Sequence, residues 1–97
     1  MRTLLKVTVP VEAGNKAVRD GSMQQIIQAT VERIRPEAVY FVEQGGERCG
    51  FFFFDLKDVT DIPTIGEPIF QALNARLELS PAMNPQDLQA GLGKLKM

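Results

Sequence analysis

The stretch Gly14-Asn15-Lys16-Ala17-Val18-Arg19-Asp20-Gly21-Ser22 sets an amide, two cations and a carboxylate between two glycines and a serine. It leads into a helical pattern that opens at Ser22, and the unpaired N–H groups of a helix start attract anions. Asn15, Lys16, Arg19 and Asp20 therefore form one candidate site, for a small carboxylate or phosphate. The plainer alternative has Asn15 and Asp20 closing turns on their own backbone, with Lys16 and Arg19 in water. The Gly-Lys-Ser/Thr order of a nucleotide-binding loop is missing.

A second group comes from strand alternation. If Leu5, Val7, Leu77 and Leu79 face the interior, Lys6, Thr8, Arg76 and Glu78 share the other side of the sheet. Apolar walls with a few converging polar groups are the usual make-up of a small-ligand pocket. There a desolvated Glu78, its pKa raised and its carboxylate held near Lys6 or Arg76, is the one catalytic candidate, a proton acceptor. The alternative is an ion-pair cluster at the rim of an interface. Tyr40 offers a hydroxyl to a ligand or a ring to an interface. Cys49 follows Arg48, a cation able to activate a thiol, but neighbours in a strand point to opposite faces, which favours a buried inert thiol.

Much chemistry is excluded. The chain has no histidine, which removes Ser-His and Cys-His nucleophile systems and the commonest metal ligand. A single cysteine excludes an internal disulfide and a cysteine cage. No acidic run has calcium-loop spacing. No metal and no cofactor are expected.

These residues need elements to hold them. Leu4–Val9 alternates as a first strand ended by Pro10, and Val11–Gly21 shows no clear period, so a loop is expected there. Ser22 with Gln25 has the pattern of a capping box. Met23, Ile26, Ile27, Thr30, Val31 and Ile34 then mark one face of a helix that Pro36 stops. Ala38–Glu43 is a second strand, Gln44–Glu47 a glycine hairpin turn, and Arg48–Leu56 a third strand. A second helix is expected to become regular near Gly66, leaving Pro68 in its first turn. Ala75–Ser80 is the last strand. Asn84 and Pro85 open a short helix that ends at Gly91, with a frayed tail to Met97.

Ninety-seven residues with a net charge of −1 make one domain, residues 1–97. Mixed charge and aromatics gathered in one apolar run argue against nucleic acid. No apolar stretch suits a signal peptide or a bilayer span, so no membrane association and a cytoplasmic location are expected. The fold class expected is α+β: a ferredoxin-like βαββαβ chain, a four-stranded antiparallel sheet with two helices on one face, plus the short C-terminal helix.

The third strand conflicts with a sheet covered on one face only. Phe51 and Phe53 point one way, Phe52 and Phe54 the other, so both faces are apolar. A second copy of the chain is the simplest cover, which predicts a homodimer through either Phe52 and Phe54 or Phe51 and Phe53.

The element order, the doubly apolar sheet and the Pro81-Ala82-Met83-Asn84 exit resemble the dimeric α+β-barrel superfamily, in particular its uncharacterised small bacterial members. The resemblance implies a dimer with a ligand space beside the sheet. It also implies, as one alternative, a cofactor-independent isomerase or monooxygenase, although the histidines several of those enzymes use have no counterpart here. The expectation for function is a small binding or accessory module with a pocket for a small anionic ligand.

Overall fold

The computed structural model describes all 97 residues. Four strands, β1 (Arg2–Val9), β2 (Ala38–Gln44), β3 (Glu47–Asp55) and β4 (Arg76–Pro81), form one antiparallel sheet in the order β2-β3-β1-β4. Four helices accompany them: α1 (Val11–Asp20), α2 (Ser22–Ile34), α3 (Ile62–Leu73) and α4 (Pro85–Leu92). The chain is thus α+β, compatible with a ferredoxin-like arrangement, but it carries two consecutive helices where one was expected.

That difference corrects the expected loop at Val11–Gly21. Pro10 suits a helix start, and α1 runs from Val11 to Asp20. Its buried positions are only Gly14 and Ala17, so small residues make the packed stripe and the helical period is hard to see. Gly21, at φ +82°, turns the chain between α1 and α2, a conformation that glycine adopts without a Cβ penalty. Gly21 rather than Ser22 is therefore the N-cap of α2, and the expected capping box is not formed.

Gly45 and Gly46 both have positive φ and close the β2–β3 hairpin in two residues, which requires such residues at both positions. At the other end of α2, Arg35 is left-handed and Pro36 follows, so the helix stops where expected. The start of α3 is a second correction. The helix is regular from Ile62, with Pro68 well inside it. Pro68 has no N–H for the carbonyl of Thr64, four residues back. The guanidinium of Arg33 in α2 donates to that carbonyl instead. A tertiary hydrogen bond thus replaces the one proline removes.

The core lies on one side of the sheet. Leu5, Val7 and Val9 of β1 and Phe52 and Phe54 of β3 meet Ala17 of α1, Ile34 of α2 and Ile65, Ile69 and Leu73 of α3. Register pairs Leu5 with Phe52 and Leu79, and Val7 with Gly50 and Leu77. The other sheet face is open. Its β2–β3 half carries Tyr40, Val42, Phe51 and Phe53, and its β1–β4 half Lys6, Arg76 and Glu78, because register places Lys6 opposite both Phe51 and Glu78.

The last helix stands apart from this body. Asn84 Oδ1 accepts from the Asp87 N–H at 2.8 Å and the Asp87 carboxylate accepts from the Asn84 N–H at 3.1 Å, a complete capping box. Arg2 ties it to β1 through Asp87 at 2.7 Å. No residue of α4 is buried.

Two outcomes follow from this packing. Phe52 is 3% exposed, and a charge there would lie in the core without a partner. Phe52→Glu is expected to abolish folding, whereas Phe53→Glu, on the open face, should keep a native circular-dichroism spectrum; a folded Phe52→Glu variant would show that the faces are reversed. The second concerns Asp87, whose carboxyl is held below its ordinary 3.8 by the Asn84 N–H and then by Arg2. A depressed carboxyl stabilises the fold above its unfolded pKa, and that stabilisation is lost as pH falls through the folded value. Helical Cα shifts of Gln86–Leu92 should therefore decay on acidification from about pH 6 to about pH 2 while β1 stays intact, and shifts unchanged over that range would refute the cap's role.

Candidate functional site

The expected loop site does not assemble. Asn15, Lys16, Arg19 and Asp20 lie on α1 instead of a loop. Asp20 accepts from the Ser22 N–H at 2.9 Å, so a protein carboxylate already occupies the start of α2 where an anion was expected. Hydrogen bonds from Ser22, with Lys16 nearby, hold the Asp20 carboxyl below its ordinary value. Lys16 and Arg19 form no ion pair. Asn15 has turned to another partner, accepting from Arg48 Nη2 at 3.0 Å.

The open-face group shares one surface but forms no closed pocket. Lys6 Nζ lies 3.7 Å from Glu78 and 5.9 Å from the centre of the Phe51 ring. Arg76 pairs with Glu47 at 2.8 Å rather than with Glu78. The Glu78 side chain is 71% exposed, so in the single chain it stands in water and not in the enclosed setting expected for it. Tyr40 is 64% exposed opposite Phe51. The buried Cys49 thiol sits 3.7 Å from Thr8 Oγ1 and from Gln44 Oε1, on the face opposite Arg48.

The largest cavity lies on the helix side, where sequence reasoning placed no site. It is a cleft of about 400 Å³ between α1, α2 and the β2–β3 hairpin, with 12 apolar residues among its 16. Val18, Met23, Ile26 and Ile27 form its roof, and Phe41 and Phe52 its floor. Its origin is the placement of α2. Thr30 and Ile34 are buried, but Met23, Ile26 and Ile27 remain only half-buried, so the first half of the helix stands off the sheet edge. Phe41, on the helix-facing side of the edge strand, is 58% exposed. Its ring meets Phe52 edge-on, with centroids 5.9 Å apart. Gly50 allows this, because a Cβ there would lie 3.3 Å from Phe41 and 3.0 Å from Phe52.

The polar groups of the cleft are few. Thr30 is satisfied by the Ile26 carbonyl at 2.7 Å. Glu43 and Arg48, cross-strand neighbours, sit among its lining at the hairpin end, and neither forms an ion pair. Arg48 lies across α1 at Gly14, where a Cβ would come within 2.5 Å of Nη1. The result is an apolar space with a guanidinium at its edge, of a size within the usual range for small ligands. The signal available in the sequence was the breadth of the α2 apolar stripe together with Phe41 on the inward side of β2. No three His, Cys, Asp or Glu side chains are grouped to hold a metal, and no helix is long and apolar enough to cross a membrane.

Gly14 couples α1 to Arg48, and this gives a test. Gly14→Ala should favour the helix by roughly 0.5–1 kcal/mol while pushing the flexible guanidinium off Asn15. The expected outcome is an unchanged or higher Tm, with an altered Asn15 side-chain amide signal in NMR; a clear fall in Tm would mean that Arg48 is rigidly held at Gly14.

Compared with known proteins, the chain matches no family model, no curated protein and no solved structure.

Proposed function

We propose that this protein is a small-molecule binding module that works as a homodimer. The helix-side cleft takes a compact, mostly apolar molecule bearing an anionic group, and the open sheet face joins two copies. The observation that carries the ligand reading is the apolar cleft with Arg48 at its edge, free of any carboxylate partner. The apolar walls supply affinity through burial, and the guanidinium supplies orientation, since it can form two parallel hydrogen bonds to a carboxylate or sulfonate.

The cleft suits binding better than catalysis. Its titratable side chains are Glu43 and Arg48 at the rim, with the Cys49 thiol turned to the opposite face. Glu78, the one carboxylate considered as a base, is on the far side of the sheet. For the dimer, support comes from Phe51 and Phe53, which share the open face with Tyr40 and Val42. Burying an aromatic side chain there contributes about 1.5–3 kcal/mol. This arrangement, a sheet face shared by two copies and a ligand beside it, is the one the likeness to dimeric α+β-barrel proteins suggests. The alternative pairing through Phe52 and Phe54 is set aside because those rings form the core.

The test uses 8-anilinonaphthalene-1-sulfonate, an apolar anion, in calorimetric titration. One site per chain is expected, with affinity lowered about tenfold, ~1.4 kcal/mol, by either Ile27→Glu or Arg48→Ala. Phe53→Glu should leave that affinity unchanged. Equal binding by the parent chain and Ile27→Glu would remove the cleft from the reading, and loss only in Phe53→Glu would move the site to the open face.

A further inference from the structure

The segment that follows β4 has the wrong shape for a finished monomer. Leu88 and Leu92 lie four residues apart on one side of α4, Leu95 follows just beyond its end, and all three are about half exposed. An eight-residue helix does not persist on its own propensity. Yet α4 is held to the body by little more than the Arg2–Asp87 pair and, just before it, the Ala82 N–H bonded to the Arg2 carbonyl. The molecule measures 54 × 29 × 18 Å with a radius of gyration of 15.4 Å, against about 12.5 Å for a compact chain of this length.

We infer that Met83–Leu95 is an exchanged arm: in the dimer proposed above, on which this inference rests, the leucine stripe packs across the apolar half of the partner copy's open sheet face.

Two observations select a second copy as the occupant. The first is continuity. Arg2, which anchors the arm, shares the open face with Leu4 and Lys6 by strand alternation, so the arm departs from the rim of the proposed interface. The second is area. Four strands about 4.8 Å apart and some seven residues long give a face of roughly 450 Å², and a stable interface takes about 800 Å² per partner. The sheet face alone falls short by about half, and a leucine-faced helix of the partner supplies the remainder.

The experiment uses the full chain in two differently tagged forms, both carrying Cys49→Ser. One carries Leu92→Cys and the other Tyr40→Cys. After mixing and oxidation, a disulfide joining the two tags is expected. In sedimentation equilibrium, Leu88→Glu/Leu92→Glu should weaken the dimer by at least about tenfold without lowering the circular-dichroism signal of the sheet. Four results would overturn the arm. If the double variant dimerises like the parent and no mixed-tag disulfide forms, the arm falls and the sheet-face dimer stands. If a chain with both Leu92→Cys and Tyr40→Cys closes only on itself, the arm belongs to its own subunit. If the leucine variant loses a different protein while dimerising normally, the partner is of another kind. If the parent chain is a monomer at every concentration reached, the arm and the dimer fall together.

Discussion

Four consecutive phenylalanines occupy a strand whose side chains must alternate between faces, and most of the architecture answers to that constraint. Phe52 and Phe54 enter the core with Leu5, while Phe51 and Phe53 are carried to the opposite side. The three helices α1, α2 and α3 contribute to the core on the Phe52 side only. No adjustment of register relieves this, because a shift by one residue merely exchanges which pair is inside. β3 is also flanked on both sides, by β1 and β2, so neither pair can be displaced to an edge. An apolar second face is thus built into the sequence, and it is partly blunted within the chain by Lys6, whose ammonium lies over the Phe51 ring.

Two glycines show how the helix side is tuned around the same strand. Gly50 immediately precedes the phenylalanine run and stands opposite Phe41, where the missing Cβ lets that ring lean on Phe52. Gly14 does the same for a charged side chain, admitting Arg48 against α1. Both act on the hairpin end of the sheet, and together they bring an aromatic floor and a guanidinium to one cleft. Neither glycine has a positive φ, so close approach rather than backbone freedom is what requires them.

The parts of the fold legible in the sequence are those fixed by local chemistry. Paired glycines at 45 and 46 set the hairpin, Pro36 ended α2, and Asn84-Pro85 opened α4. What escaped depends on distant partners. The packed stripe of α1 consists of Gly14 and Ala17, residues whose small size conceals the helical period. Pro68 reads as a helix boundary until Arg33, more than thirty residues earlier, donates to the freed carbonyl of Thr64. The cleft was less legible still. Its residues were each visible as apolar, but whether α2 closes on β2 is decided by the tilt of one helix, which no periodicity encodes. The polar stretch at 14–22 misled because its Asp20 satisfies the helix start that an external anion was expected to fill.

The alternation of β3 also separates the two proposed surfaces. A side chain at 52 or 54 enters the core, that at 52 also reaching the cleft floor, and one at 51 or 53 reaches only the open face. The proposed ligand and partner surfaces therefore lie on opposite sides of a single strand, with one layer of backbone between them. Coupling between the two would have to pass through that backbone or through the hairpin, where Glu43 and Arg48 edge the cleft and Glu47 meets Arg76 on the open side. The hairpin is the one element that contributes charged groups to both faces. A ligand that draws Arg48 away from Asn15 acts on the residue that follows Glu47, and so on the strand end that carries the Glu47–Arg76 pair. If binding in the cleft affects dimer strength at all, the effect should run through residues 43–48, and it should be insensitive to substitutions at the Lys6–Glu78 pair, which lies outside that route.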